Sequence, residues 1–214
     1  DPATGKSGPA TGPRGPRTFF DNGGNWFLIS QWNVNWELDA TRPGSMGMGG
    51  WIQTGRTATA GSDQGGVKNV PGFYFQWDQA LCSPGAEFAA QGGGVRFFGQ
   101  FGWSDPKKNP VGWSIMAGLS ATGVIPGRPA DALGLMGAYS HFTGRSGVYE
   151  STQPSGLPAA SGGSESSLEL FYLAQLTSWL YLQPGLLWIR TPGGGAPAPL
   201  NDALMLYFLV GVDF

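Results

Sequence analysis

Cysteine and histidine are nearly absent from this sequence: Cys82 and His141 occur once each. A single cysteine closes no disulfide within the chain. A single histidine without a second histidine or a cysteine partner builds neither a metal centre nor a catalytic triad. Charge is scarce as well. Charged residues make up 12% of the chain, about half the share of an average soluble domain. The net charge of -2 leaves no basic footprint for nucleic acid. No apolar run nears the roughly 18 residues of a membrane-spanning helix; the longest stretches from Ala203 to Val212. A transmembrane β-strand escapes that test, because it needs only about 10 residues and alternates. There is no signal peptide, and the chain begins at Asp1 without Met. The expectation is a processed mature chain or a fragment.

What the sequence does contain is 37 Gly, 17 Pro and 9 Trp, with aromatics at 13%. This combination fits many strands, tight turns and an aromatic-rich surface. The aromatics argue against disorder, and the glycines lack the three-residue period of collagen. Residues 1–24 are rich in Gly, Pro, Ser and Arg and read as a flexible loop or tail. Residues 25–214 read as one structural unit.

The clearest signal is QWNVNWEL. Gln31, Asn33, Asn35 and Glu37 alternate with Trp32, Val34, Trp36 and Leu38, which is a strand with one polar and one apolar face. Similar segments are predicted at 46–57, 72–82, 92–104, 112–124, 132–142, 165–177, 179–190 and 203–214. With 25–38 they make about nine strands, each roughly twice the usual soluble length of about 5 or 6 residues. On 72–82, Phe73, Phe75 and Trp77 lie opposite Tyr74, Gln76 and Asp78. On 92–104, Val95, Phe97, Phe101 and Trp103 lie opposite Arg96 and Gln100. On 165–177, Leu168, Leu170, Tyr172 and Leu176 lie opposite Glu165, Glu169 and Gln175.

Connectors differ in a regular way. Those near 82–89, 125–131 and 177–179 are short, whereas 143–164 and 191–202 are long and polar or rich in Gly and Pro. Short turns at one end and long loops at the other mark an outer-membrane barrel. A soluble sandwich alternates in the same way but buries its apolar face. Strand length, the tryptophans near strand ends (Trp26, Trp103, Trp113, Trp179) and the apolar final strand favour the membrane. The fold class expected is therefore all-β, a transmembrane antiparallel β-barrel of outer-membrane porin type.

GFYFQWDQ, FFGQFGWSDP, IPGRPADALGLMGAYSHF, SSLELFYLAQLTSWLYLQPGLLWI and NDALMLYFLVGVDF resemble, in order, the C-terminal half of the carbohydrate-selective porins, the OprB family. The resemblance runs from about residue 72 to 214 and is weaker before that. FGWSDP, IPGR and AQLTSWLYLQP are its most specific pieces, since no generic barrel requires them. It implies a barrel of about sixteen strands in the outer membrane of a Gram-negative-type bacterium, passing small carbohydrates by diffusion. Bacterial barrels have an even strand number, so nine strands are a part of a larger barrel, or the count is off by one and the barrel is small. The implied partners are outer-membrane lipid and small sugars, with a homotrimer or another outer-membrane protein as further candidates. No cofactor, metal or catalytic role is implied, and Phe214 matches the terminal aromatic by which such barrels are recognised for insertion.

Candidate sugar contacts come from the polar faces: Asn33, Asn35, Glu37, Tyr74, Gln76, Asp78, Arg96, Gln100 and Glu169. A purely wet channel lining is the competing reading of these residues. Gly5-Lys6-Ser7 echoes the end of a phosphate-binding loop, but the Gly-Pro-Ala-Thr-Gly-Pro after it is no helix. His141 reads as a lumen or rim residue near a strand end, and Cys82 as part of a periplasmic turn. The lumen positions of the last two strands hold Gly185, Leu187, Ile189, Met205, Tyr207 and Leu209, where the family carries polar or charged residues. This apolar wall raises an alternative function: a porin-like barrel with an obstructed lumen, serving as a structural or complex-forming subunit.

Overall fold

A computed structural model describes residues 26–55, 68–109, 111–143, 163–195 and 200–212. The expected tail over 1–24, the phosphate-loop echo and Phe214 lie outside the described residues. Among these residues nine strands form one antiparallel sheet in sequence order. They are β1 (Phe27–Glu37), β2 (Pro43–Gln53), β3 (Val70–Cys82), β4 (Gly94–Ser104) and β5 (Val111–Thr122). Then follow β6 (Ala132–Phe142), β7 (Ser164–Gln175), β8 (Leu180–Arg190) and β9 (Ala203–Val212). The nine predicted segments coincide with these nine strands. The largest offsets are at β2, which starts three residues before the predicted Met46 and ends at Gln53, four before the predicted 57. Pro43 opens it, and proline is tolerated at the first position of a strand because the missing N–H costs no ladder bond there.

Two features at and beside the 83–93 connector were not predicted. It holds a five-residue helix, α1 (Ala86–Ala90), and β3 bulges between Ala80 and Cys82. The bulge brings Cys82, which is exposed, opposite Val95. Connectors at this end (38–42, 83–93, 123–131, 176–179) are shorter on the whole than those at the other (54–69, 105–110, 143–163, 191–202).

Register determines the faces, because residues directly opposite one another across a ladder share a side. Asn33, Gly47, Gln76, Gln100, Met116, Ala138, Ser167, Ile189 and Ala203 form one continuous row on the inner face. The next row along, on the outer face, runs Trp32, Met48, Phe75, Phe101, Ile115, Tyr139 and Ser166. The face assignments of β3 and β7 agree with the prediction. On β4, Phe98 shares the inner face with Arg96 and Gln100. Leu176 falls in the turn after β7.

Among the described residues no core lies between layers: no large side chain is fully buried, and the buried apolar residues are Val70, Ala80 and Ala89. Exposed large apolar side chains are spread over the outer face instead, from Trp32 on β1 through Phe75, Leu119, Leu135, Leu170 and Leu186 to Leu206 on β9. On the inner face of the strands only Phe27, Ile29, Met205 and Leu209 are comparably exposed, and all four sit on the edge strands β1 and β9. An outer face of this kind is stable against an apolar medium, at about 1.5–3 kcal/mol for each Leu, Val or Phe removed from water.

Turns are tied down by side chains. Asp39 caps the β1–β2 turn, accepting from Thr41 N at 2.9 Å and Arg42 Nε at 2.6 Å. Arg42, and after it Thr41, hold its carboxyl down at about 2. In the β5–β6 turn, Asp131 is buried. It accepts from Arg128 Nε at 2.7 Å, from Gln175 N at 3.0 Å and from the Tyr172 hydroxyl. Burial alone would push the Asp131 carboxyl up, but these donors outweigh it and the net shift is downward. At the opposite end, Ser104 Oγ donates to Pro71 O at 2.9 Å, and Asn109 Nδ2 donates to Ser104 Oγ at 3.1 Å.

Candidate functional site

The inner faces of β1–β4 carry the densest polar chemistry of the sheet. On β1, alternation directs Gln31, Asn33, Asn35 and Glu37 inward. Their partners on β2 are Gly49, Gly47, Ser45 and Pro43, all small or without a polar tip that would block the surface. Tyr74, Gln76 and Asp78 of β3 come next, facing the same β2 residues. Gln100 pairs directly with Gln76, while Arg96 sits opposite Ala80, one inward position beyond Asp78. The sheet thus gathers Asn33, Asn35, Glu37, Tyr74, Gln76, Asp78, Arg96 and Gln100, eight of the nine predicted contacts, onto one patch. Glu169 lies apart on β7, opposite Met136 of β6 and Leu187 of β8.

Within the patch some groups are already paired. Gln31 Nε2 donates to Asn33 Oδ1 at 2.7 Å, and Tyr74 OH donates to Gln31 Oε1 at 2.6 Å. Arg96 Nε donates to Asp78 Oδ2 at 3.3 Å, and a second, shorter bond joins Arg96 Nη2 to Asp78 Oδ1. This fork-to-carboxylate geometry holds both groups in place. Asn35, Glu37, Gln76 and Gln100 have no side-chain hydrogen bond among the described residues, so their donors and acceptors are available to a solute. A cavity of about 320 Å³ lies over Asn33, Asn35, Gln76, Asp78 and Gln100. A second, of about 770 Å³, lies between Asn35, Glu37 and Arg96 and the α1 residues Ala89 and Ala90. The helix missed from sequence thus forms part of the site's wall.

Beyond β4 the middle of the inner face turns apolar, with Met116, Met136, Phe171, Leu187 and Met205. The sequence reading of β8 and β9 holds here: Gly185, Leu187, Ile189, Met205, Tyr207 and Leu209 all lie on the inner face. Glu169 accepts a hydrogen bond from the Tyr207 hydroxyl, and Glu165 Oε2 accepts from Gly193 N at 2.7 Å. His141 stacks on Trp113, with ring centroids 6.0 Å apart, at the rim of the outer face. Trp113 also stacks on Tyr139 at 5.0 Å, and Phe73 on Trp103 at 5.3 Å, so aromatics band the outer face near one edge. Among the described residues no group of three or more His, Cys, Asp and Glu side chains is placed to hold a metal.

A single-layer sheet of long antiparallel strands, apolar outside and polar inside over β1–β4, is the wall of a porin-type transmembrane β-barrel. The chain belongs to the OprB family of carbohydrate-selective porins, whose family model matches residues 10–214. A solved structure of Pseudomonas putida OprB, determined at high pH, matches with a TM-score of 0.69 at 20% identity. The match covers 87% of this chain and 48% of that one, so the chain spans about half the length of that porin. At this identity the likeness shows the fold. No curated protein matches the chain. The family is one of porins, which are transport channels.

Proposed function

We propose that this chain forms part of an outer-membrane channel wall in a Gram-negative-type bacterium, and that small sugars diffuse past its inner face. One observation carries the reading. The row of register partners that places Phe75 and Phe101 on the outer face places Gln76 and Gln100 side by side on the inner one. Sugars need both donors and acceptors in a planar arrangement, and amide side chains supply both. Asn33, Asn35, Gln76 and Gln100 give the amides, while Glu37, Asp78 and Arg96 add charge towards the end with short connectors. By the general asymmetry of such barrels that end is periplasmic. The polar patch then occupies the middle and periplasmic half of the wall, and Phe27 and Trp51, 5.9 Å apart, lie above it. Outer-membrane lipid is the partner of the outer face.

Planar bilayers test the reading. The protein purified from outer membranes is expected to conduct ions, and added monosaccharide is expected to reduce the current in a saturable way. A current indifferent to sugar would remove carbohydrate selectivity. An absence of current would favour an obstructed barrel with a structural role.

A further inference from the structure

The β7–β9 wall has few free amides, yet it carries flat aromatic rings. Tyr207 of β9 lies opposite Gly185 of β8, and Tyr181 of β8 lies opposite Gly211 of β9. A methyl group added at Gly185 would overlap the Tyr207 ring, and one added at Gly211 would overlap the Tyr181 ring. Each tyrosine therefore lies across the neighbouring strand in the space its glycine leaves. The glycine thus lets the ring sit close against the neighbouring strand on the inner face. Both residues are half-exposed. Tyr207 leans towards β8, away from the free edge of β9, so its seat does not depend on what adjoins that edge.

Polar groups stand beside the Tyr207 ring. Its hydroxyl donates to Glu169 Oε1, and Gln183 Nε2 donates to the same hydroxyl at 3.4 Å. The second carboxylate oxygen of Glu169 has no protein partner among the described residues. A pyranose presents an apolar C–H face and a rim of hydroxyls. A flat aromatic ring receives the face, and a free carboxylate oxygen accepts from the hydroxyls with a charge-assisted bond.

We propose that Tyr207, seated on Gly185, and Glu169 form a carbohydrate-binding subsite on the β7–β9 wall. Tyr181 on Gly211 is a second stacking platform, four residues or about 13 Å along the strands. This subsite presupposes the porin reading proposed above. It makes the apolar wall a surface that holds sugar transiently instead of repelling it, on the same inner face as the β1–β4 patch but at the other end of the sheet.

Glucose titrations of single-channel current in planar bilayers test it, using the protein purified from outer membranes and a heat-modifiable gel band to confirm folding. Tyr207→Leu removes the platform and is expected to weaken glucose block about fivefold to tenfold, with ion conductance preserved within about a factor of two. Leu209→Ala, on the same strand and face, is expected to leave the block unchanged. Should Tyr207→Leu not fold, Glu169→Gln takes its place: it keeps the shape and an acceptor for Tyr207 but loses the charge, and the block should weaken about fivefold. Unaltered block in the folded Tyr207→Leu or Glu169→Gln protein overturns the subsite and leaves the porin reading standing. A wild-type protein that passes no current overturns both.

Discussion

Replacing Asp131 with alanine should destabilise the sheet more than any comparable change in a connector. The Asp131 side chain is 1% exposed and receives three donors, from Arg128, Tyr172 and Gln175. Alanine leaves the Tyr172 hydroxyl and the Gln175 N–H, both part-buried, without this acceptor. The Arg128 side chain is 39% exposed, so water screens its share. A loss of about 2 kcal/mol follows, within the range of about 1–3 for a group left unsatisfied. It is measured by urea unfolding in detergent or lipid vesicles, followed by tryptophan emission. Asp131→Asn keeps one acceptor oxygen and should lose about half as much. In a double-mutant cycle, Asp131→Ala and Tyr172→Phe should couple by about 1 kcal/mol or more. The pH dependence has a definite sign. The folded carboxyl is held below its ordinary value of 3.8, so the stabilisation is complete above that value. It is lost as pH falls from 3.8 through the lower folded pKa. An Asp131→Ala protein within about 0.5 kcal/mol of wild type would refute the view that this carboxylate staples the β5–β6 turn to β7.

Three further outcomes follow from the faces and ends. Leu170→Arg, on the outer face in mid-strand, should cost about 2–4 kcal/mol, whereas Gln76→Arg on the inner face should fold normally; equal costs in unfolding experiments would mean the faces are misassigned. Arg96→Ala frees the Asp78 carboxylate and should shift reversal potentials in salt gradients towards cation selectivity, an effect absent if the pair lies outside the ion path. Cys82 is exposed at the end with short connectors, so a membrane-impermeant thiol reagent should label it only after the outer membrane is breached; labelling in intact cells would invert the orientation.

Strand order and faces were legible in the sequence because a period of two is a local property. QWNVNWEL carries its two faces in eight consecutive letters, and GFYFQWDQ does nearly the same. What escaped was whatever depends on partners distant in sequence. Asp131 sits in IPGRPAD and reads as one more turn residue, yet two of its three donors lie at Tyr172 and Gln175. The same holds for Ser104 in FGWSDP, which meets Pro71 and Asn109. The stretches most peculiar to the family thus include residues that fasten turns together. Helix α1 is too short for a helical period to show, and its N-cap, Gly85, makes no side-chain capping bond. The glycine seats of Tyr207 and Tyr181 were invisible without register, so Tyr207 read only as an unsuitable lumen residue beside Met205 and Leu209. Eight of the nine proposed contacts converge because their strands are sequential neighbours. Glu169 does not join them because it lies on β7, three strands beyond β4, in another part of the wall.

Adjacent residues on β3 offer the most direct measurement of the central claim, that the β1–β4 inner face lines a water-filled sugar path. In a Cys82→Ser background, Gln76→Cys and Phe75→Cys each place one thiol on the protein, one residue apart and on opposite faces. A charged thiol reagent added during bilayer recording should react with Gln76→Cys, lower the single-channel current and abolish sugar block. Phe75→Cys should remain unmodified, with its current unchanged. Reaction at Phe75→Cys with no effect at Gln76→Cys would contradict the claim.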